Sequence, residues 1–206
     1  LGRPYLEQRF FVSKMGVQED LRVAVCCGAQ EAVQRALDEG ARVDVENSGW
    51  WPVHSASSMG HLGVVKLLLE RRADLHQVTT RLHRQPLHLA ALEGHGELVD
   101  FLVENQADME AGDIHRRTPL SLACQKGHLQ VVKLLSTLGA DVVCPDEAEA
   151  TAYDWAMQGL SYLGEKYTTY EDILELLQRK GAQVQGKSLG PMDRCPYPSS
   201  RGPANC

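Results

Sequence analysis

One stretch matches, letter for letter, a loop that cradles phosphates: Gly181-Ala-Gln-Val-Gln-Gly186-Lys187-Ser188 fits G-x-x-x-x-G-K-[ST]. Such a loop works only between a strand and a helix, where free amides at the helix N-terminus face the anion. Here it follows a helical pattern over Tyr170–Lys180 and runs into Leu189-Gly-Pro191. That context argues against nucleotide binding. Eight histidines raise the question of a metal. His54 and His88, and again His61, His95 and His128, recur at fixed places in a repeated motif, which gives them a scaffold role. His76, His83 and His115 remain, without a cysteine or carboxylate cluster at ligand spacing. No Ser/His/Asp arrangement can be assembled. The expectation is no catalytic residue, no cofactor and no metal.

The element that positions these residues is Gln85-Pro-Leu-His-Leu-Ala-Ala-Leu-Glu-Gly-His95, a short apolar helix opened by proline and closed by glycine. It recurs as Pro52-Val-His-Ser-Ala-Ser-Ser-Met-Gly-His61 and as Pro119-Leu-Ser-Leu-Ala-Cys-Gln-Lys-Gly-His128. Pro52 and Pro86 stand 34 residues apart, Pro86 and Pro119 stand 33 apart, and another 33 reaches Ala152. An alanine closes a second helix 21 residues after each proline, at Ala73, Ala107 and Ala140. Counting 21 back from Ala41 reaches Asp20, so the period marks five units, the first and last degenerate. Self-similarity at one period means an array of stacked units.

The motif has a local physical basis. Proline at the first helical position removes an amide that would have no partner there. Threonine before it accepts from a first-turn amide. The histidine two residues on can tie the turn to its neighbours. Glycine then ends the helix in a left-handed conformation.

Taken together, the proline–Leu–His–x–Ala turn, the Gly–His step, the second-helix pieces Val64-Val-Lys-Leu-Leu-Leu69, Leu98-Val-Asp-Phe-Leu-Val103 and Val131-Val-Lys-Leu-Leu135, and the closing Gly-Ala-Asp resemble the ankyrin repeat, whose period is about 33 residues. The resemblance covers about residues 20–183. Trp51 and Gln85 replace the family's threonine, Ser121 its histidine and Ala152 its proline. It implies an all-α solenoid of helix–turn–helix units with short β-hairpin loops. The expected organisation is an arm at 1–18, a repeat domain at 19–183 (19–45, 46–78, 79–112, 113–145, 146–183) and a Gly/Pro/Ser-rich tail at 184–206. In the fifth unit Ala152 to Ala182 spans 30 residues, which predicts a loop inserted around Gly159–Thr169, with Tyr153, Tyr162, Tyr167 and Tyr170 on or beside it. The arm, with Tyr5, Phe10 and Phe11, either covers the first unit's open end or docks on a partner.

Composition narrows the classes. A net charge of -6 excludes general nucleic-acid affinity. No apolar run nears the roughly 20 residues of a membrane span, which leaves peripheral association with a membrane complex open. Six cysteines without framework spacing suggest reduced thiols in an intracellular, reducing compartment, cytoplasmic or organellar. Leu1 reads either as a processed N-terminus behind a removed presequence or as a fragment start.

By position in the resembled family, a protein partner meets the hairpin tips and first-helix ends. The expected partner-binding residues are Trp50, Met59, Arg81, Leu82, Arg84, Leu92, Ile114, His115, Arg117 and Lys126. Arg81, Arg84, Arg116, Arg117 and Lys126 concentrate positive charge in an acidic chain, which suits an acidic segment of the partner. Trp50, Leu82 and Ile114 supply apolar bulk, while Trp51 is expected to pack inward. The function expected is non-catalytic: an accessory or scaffold subunit of a larger, possibly organellar, assembly. The alternative is a freely diffusing adaptor or inhibitor that binds one partner reversibly; a nucleotide-binding enzyme is a distant third.

Overall fold

The computed structural model describes residues 16–162 and 167–185. Ten helices follow in order among the described residues: α1 (Val17–Cys27), α2 (Gln30–Asp38), α3 (Pro52–Ser58), α4 (Leu62–Glu70), α5 (Pro86–Glu93), α6 (Gly96–Glu104), α7 (Pro119–Lys126), α8 (Leu129–Leu138), α9 (Ala152–Tyr162) and α10 (Tyr167–Gln185). Each odd-numbered helix packs on its successor, and the odd-numbered helices also stack in one row from α1 to α9. The apolar core is continuous, from Leu21 and Val25 through Leu68, Leu87, Leu102 and Leu120 to Ile173. Small residues Ala56, Ala90 and Ala123 lie fully buried along the stacked row, where they let neighbouring helices approach. Since α3, α5 and α7 are only seven or eight residues long, they depend on this stacking for stability.

The hairpins between units are turns without ladders; the only strand pairing among the described residues is an isolated bridge, Asn47 with Trp50. Cys26, Cys27 and Cys124 are free thiols, but Cys144, expected to be reduced, is disulfide-bonded. Burial pushes the Cys124 thiol well up, so it acts as an apolar filler.

Two sets of rings hold the turns. His54 Nδ1 accepts from the Trp51 amide (3.3 Å) and its Nε2 donates to the Gln77 carbonyl (2.9 Å). His88 repeats this with the Gln85 amide (3.2 Å) and the Arg117 carbonyl (3.2 Å). In the fourth unit, Thr118 Oγ1 instead accepts from the Ser121 amide, at 3.3 Å. Burial pulls both imidazoles down to about 4. A histidine whose folded value lies below its unfolded one, about 6.5, binds its proton more readily in the unfolded chain. Its stabilising contribution is therefore intact above pH ~6.5 and is lost as the pH falls toward 4. Melting temperature should stay level from about pH 8 to 7 and then decline through that window, by on the order of 3 kcal/mol of stability per site at most. A flat profile down to about pH 4.5 would contradict the burial of the two rings as neutral donors.

The second set lies one step later. His61 Nε2 donates to the Cys26 carbonyl (3.2 Å), His95 to Ser58 (2.9 Å) and His128 to Leu92 (2.9 Å), each two residues before the preceding unit's glycine. The ring lies directly over that glycine: a β-carbon on Gly94 would meet His128 Nδ1 at 2.5 Å. With φ at 84°, Gly94 is also in the left-handed region.

The fifth unit departs from expectation. Gly159–Tyr162 continue α9 and Tyr167–Thr169 begin α10, so most of the predicted inserted loop is helix; residues 163–166 lie outside the described part. Tyr170 is fully buried, and its hydroxyl donates to the Gln125 carbonyl at 3.0 Å. It therefore takes the histidine's place, its ring against Gly127. Tyr153 also bonds internally, its hydroxyl accepting from Gln178 at 3.0 Å. The extra residues on either side of 163–166 lengthen α9 and α10, and a tyrosine ring, in place of a histidine, reaches Gly127. Helix α10 also runs through Gly181 to Gln185, past the expected close of the unit at 183. The first five residues of the phosphate-loop match are thus the end of a helix, where the dipole repels anions. Of the proposed arm and tail, residues 1–15 and 186–206 lie outside the described residues.

Candidate functional site: the hairpin row and first-helix ends

Four hairpins project from one edge of the stack. Each closes through the amide of its first residue and the carbonyl of its last: Asn47 to Trp50 (2.7 Å), Thr79 to Arg84 (3.0 Å), Asp113 to Arg117 (3.0 Å) and Asp146 to Ala150 (2.9 Å). The first residue also braces the tip with its side chain. Thr79 Oγ1 accepts from the Arg84 amide (3.0 Å); Asp146 Oδ1 accepts from the amides of Ala148 (2.8 Å) and Ala150 (2.9 Å). Asp146 Oδ2 further receives the Trp155 indole N–H at 2.9 Å.

Asp113 is the centre of the row. Its Oδ1 accepts from the amides of His115 (2.9 Å) and Arg117 (3.1 Å), and its Oδ2 from the Arg117 guanidinium (2.8 Å) and from Arg84 (3.3 Å) in the preceding hairpin. Burial works to raise the Asp113 carboxyl, but these donors outweigh it and hold the group below its ordinary value. This corrects the assignment of Arg84 and Arg117 as open partner contacts. Their side chains are only 12% and 15% exposed and are paired with one carboxylate, and Arg117 also lies over the Trp155 ring, 5.7 Å from its centre. Of the positive patch, Arg81 and Lys126 are exposed and Arg116 is half-buried. Consequently Arg84→Glu, which would set a second carboxylate against Asp113, should lower the melting temperature clearly; an unchanged melting curve would count against the pairing.

The remaining predicted residues separate by exposure. Met59 is 55% exposed, Ile114 46% and Leu82 36%, and the last two sit on adjacent hairpins joined by an Ile114 amide to Leu82 carbonyl bond of 2.9 Å. Trp50 is half-buried, edge-on to the His54 ring at 6.4 Å. Trp51 is half-buried and packs against the core, as expected. Leu92 is half-buried, and His115 is exposed with Nδ1 3.6 Å from the Glu147 carboxylate. The structure thus brings Leu82 and Ile114 together, keeps Met59 and Lys126 on the first-helix ends, and withdraws Arg84 and Arg117. Sequence reading missed Asp113, Asp146 and Trp155. A signal existed, since the two aspartates stand 33 residues apart, in register with the period.

The repeated ring-over-glycine packing in a stack of helix pairs is matched by the comparison of sequences: a family model described as ankyrin repeats, in three copies, fits residues 18–79 and 73–146, more than half of the chain. The chain belongs to the ankyrin-repeat family. Ankyrin repeats are protein–protein interaction modules, and this one presents their hairpin row as a continuous braced edge. No described helix is long and apolar enough to cross a membrane.

Proposed function

We propose that this ankyrin-repeat chain is a non-catalytic adaptor that binds one protein partner reversibly through its hairpin tips and first-helix ends. The observation that carries the reading is the pair Leu82 and Ile114, exposed apolar side chains on neighbouring tips that backbone hydrogen bonds hold in fixed relation. A preformed surface needs little ordering on association. Its exposed apolar area is confined to a few side chains, which suits a small, reversible interface better than an obligate one. The expected subunit role leans on the two terminal arms, and 1–15 and 186–206 lie outside the described residues. Substituting Leu82→Asp and Ile114→Asp together should weaken capture of the native partner by at least about tenfold with little change in melting temperature. Retained capture would refute the tip assignment. Recovery of the native protein only in a large, salt-resistant particle on size exclusion would favour the accessory-subunit reading instead.

A further inference from the structure

We infer that the first hairpin is the open end of a backbone ribbon and takes an extended peptide segment carrying an aromatic side chain between basic residues. The inference rests on the reading of the hairpin row as the binding face. Successive hairpins are joined by one bond each: the Thr80 amide donates to the Gly49 carbonyl (3.1 Å), Ile114 to Leu82 (2.9 Å) and Glu147 to His115 (3.0 Å). The donor is always the second residue of the later hairpin. In the first hairpin that residue is Ser48, whose amide meets no acceptor among the described residues. An incoming main-chain carbonyl would supply the missing link, as in strand addition at a sheet edge.

Beside Ser48, α1 and the hairpin enclose a cleft of about 600 Å³. Its walls are Trp50, Trp51, Pro52, Val25 and Val45, an apolar lining that receives an aromatic side chain. The acidic groups are Glu19 and Glu46; Arg22, the one cation among the lining residues, is bonded to Glu19. The rim is therefore net acidic. Together with the indole faces, it favours lysine or arginine beside the aromatic residue. This is the opposite charge preference to that suggested by the arginines of the next hairpins.

The test uses the full chain and a fluorescein-labelled peptide, acetyl-Gly-Ser-Lys-Phe-Arg-Ser-Gly, read by fluorescence anisotropy, with circular dichroism to check each variant's folding. Saturable binding is expected. It should weaken about tenfold when the peptide's phenylalanine becomes serine or when Trp50→Ala is introduced. Glu46→Gln keeps an acceptor for the Gly49 amide but removes the charge, and should weaken binding about threefold and flatten its salt dependence. Should Trp50→Ala melt early, Ser55→Gln, which narrows the cleft from α3, serves in its place. No saturation up to about 1 mM, or equal binding by a folded Trp50→Ala or Ser55→Gln variant, overturns the inference. So does binding that emerges only in a full chain carrying Phe10→Ala and Phe11→Ala, because the cleft would then belong to the chain's own residues 1–15. Any of these failures leaves the Leu82 and Ile114 experiment unaffected, so the two readings fail separately.

Discussion

Replacing Asp113 with alanine should lower stability by about 3–5 kcal/mol, a fall in melting temperature on the order of 10 °C. The Asp113 side chain is fully buried, and its carboxylate receives two amides and two guanidinium groups. Removing it leaves Arg84 and Arg117 side by side, poorly solvated and mutually repelling. The loss would thus come chiefly from two stranded cations, the larger part of breaking any buried pair. Two companions sharpen the measurement. Asp113→Asn keeps an oxygen for the His115 and Arg117 amides and should be milder. Asp113→Ala combined with Arg84→Met should recover part of the loss, since it removes one stranded charge. If Asp113→Ala melts within a degree or two of the parent, the network does not brace the hairpins.

The second large effect is at Tyr170. Its ring fills the gap between α7, α9 and α10, against both Gly127 and Gly159. Tyr170→Ala should cost about 3–5 kcal/mol through the cavity left behind. Tyr170→Phe, which loses only the bond to the Gln125 carbonyl, should cost about 1 kcal/mol. Hydrogen exchange should place the damage in α9 and α10 and leave protection of α3 to α6 unchanged, because each unit touches only its neighbours. Uniform loss of protection along the chain would contradict that local picture.

The fold was legible because its signals are local and repeated. Proline, histidine and glycine at fixed spacing name the cap, the tie and the stop of each first helix, and three good copies set the register for two poor ones. Tyr170 was not legible in the same way: a tyrosine does a histidine's work only when extra residues reset its distance, and spacing alone cannot convey that. The surface was harder still. Arg84 and Arg117 read as free charge because their partner, Asp113, is brought under them by packing between units; only Asp113 and Asp146 sharing the period hinted at it. Leu82 and Ile114 are exposed, as a hairpin tip, which has nowhere else to point, leads one to expect.

Tyr170 also differs from the histidines in what it covers. In every earlier unit, the glycine ending the first helix lies open until the next unit's ring covers it. In the last unit α9 runs on through Gly159, and the same tyrosine that covers Gly127 lies against Gly159 as well. The fifth unit thus sets one tyrosine ring against two glycines, one in the preceding unit and one in its own first helix.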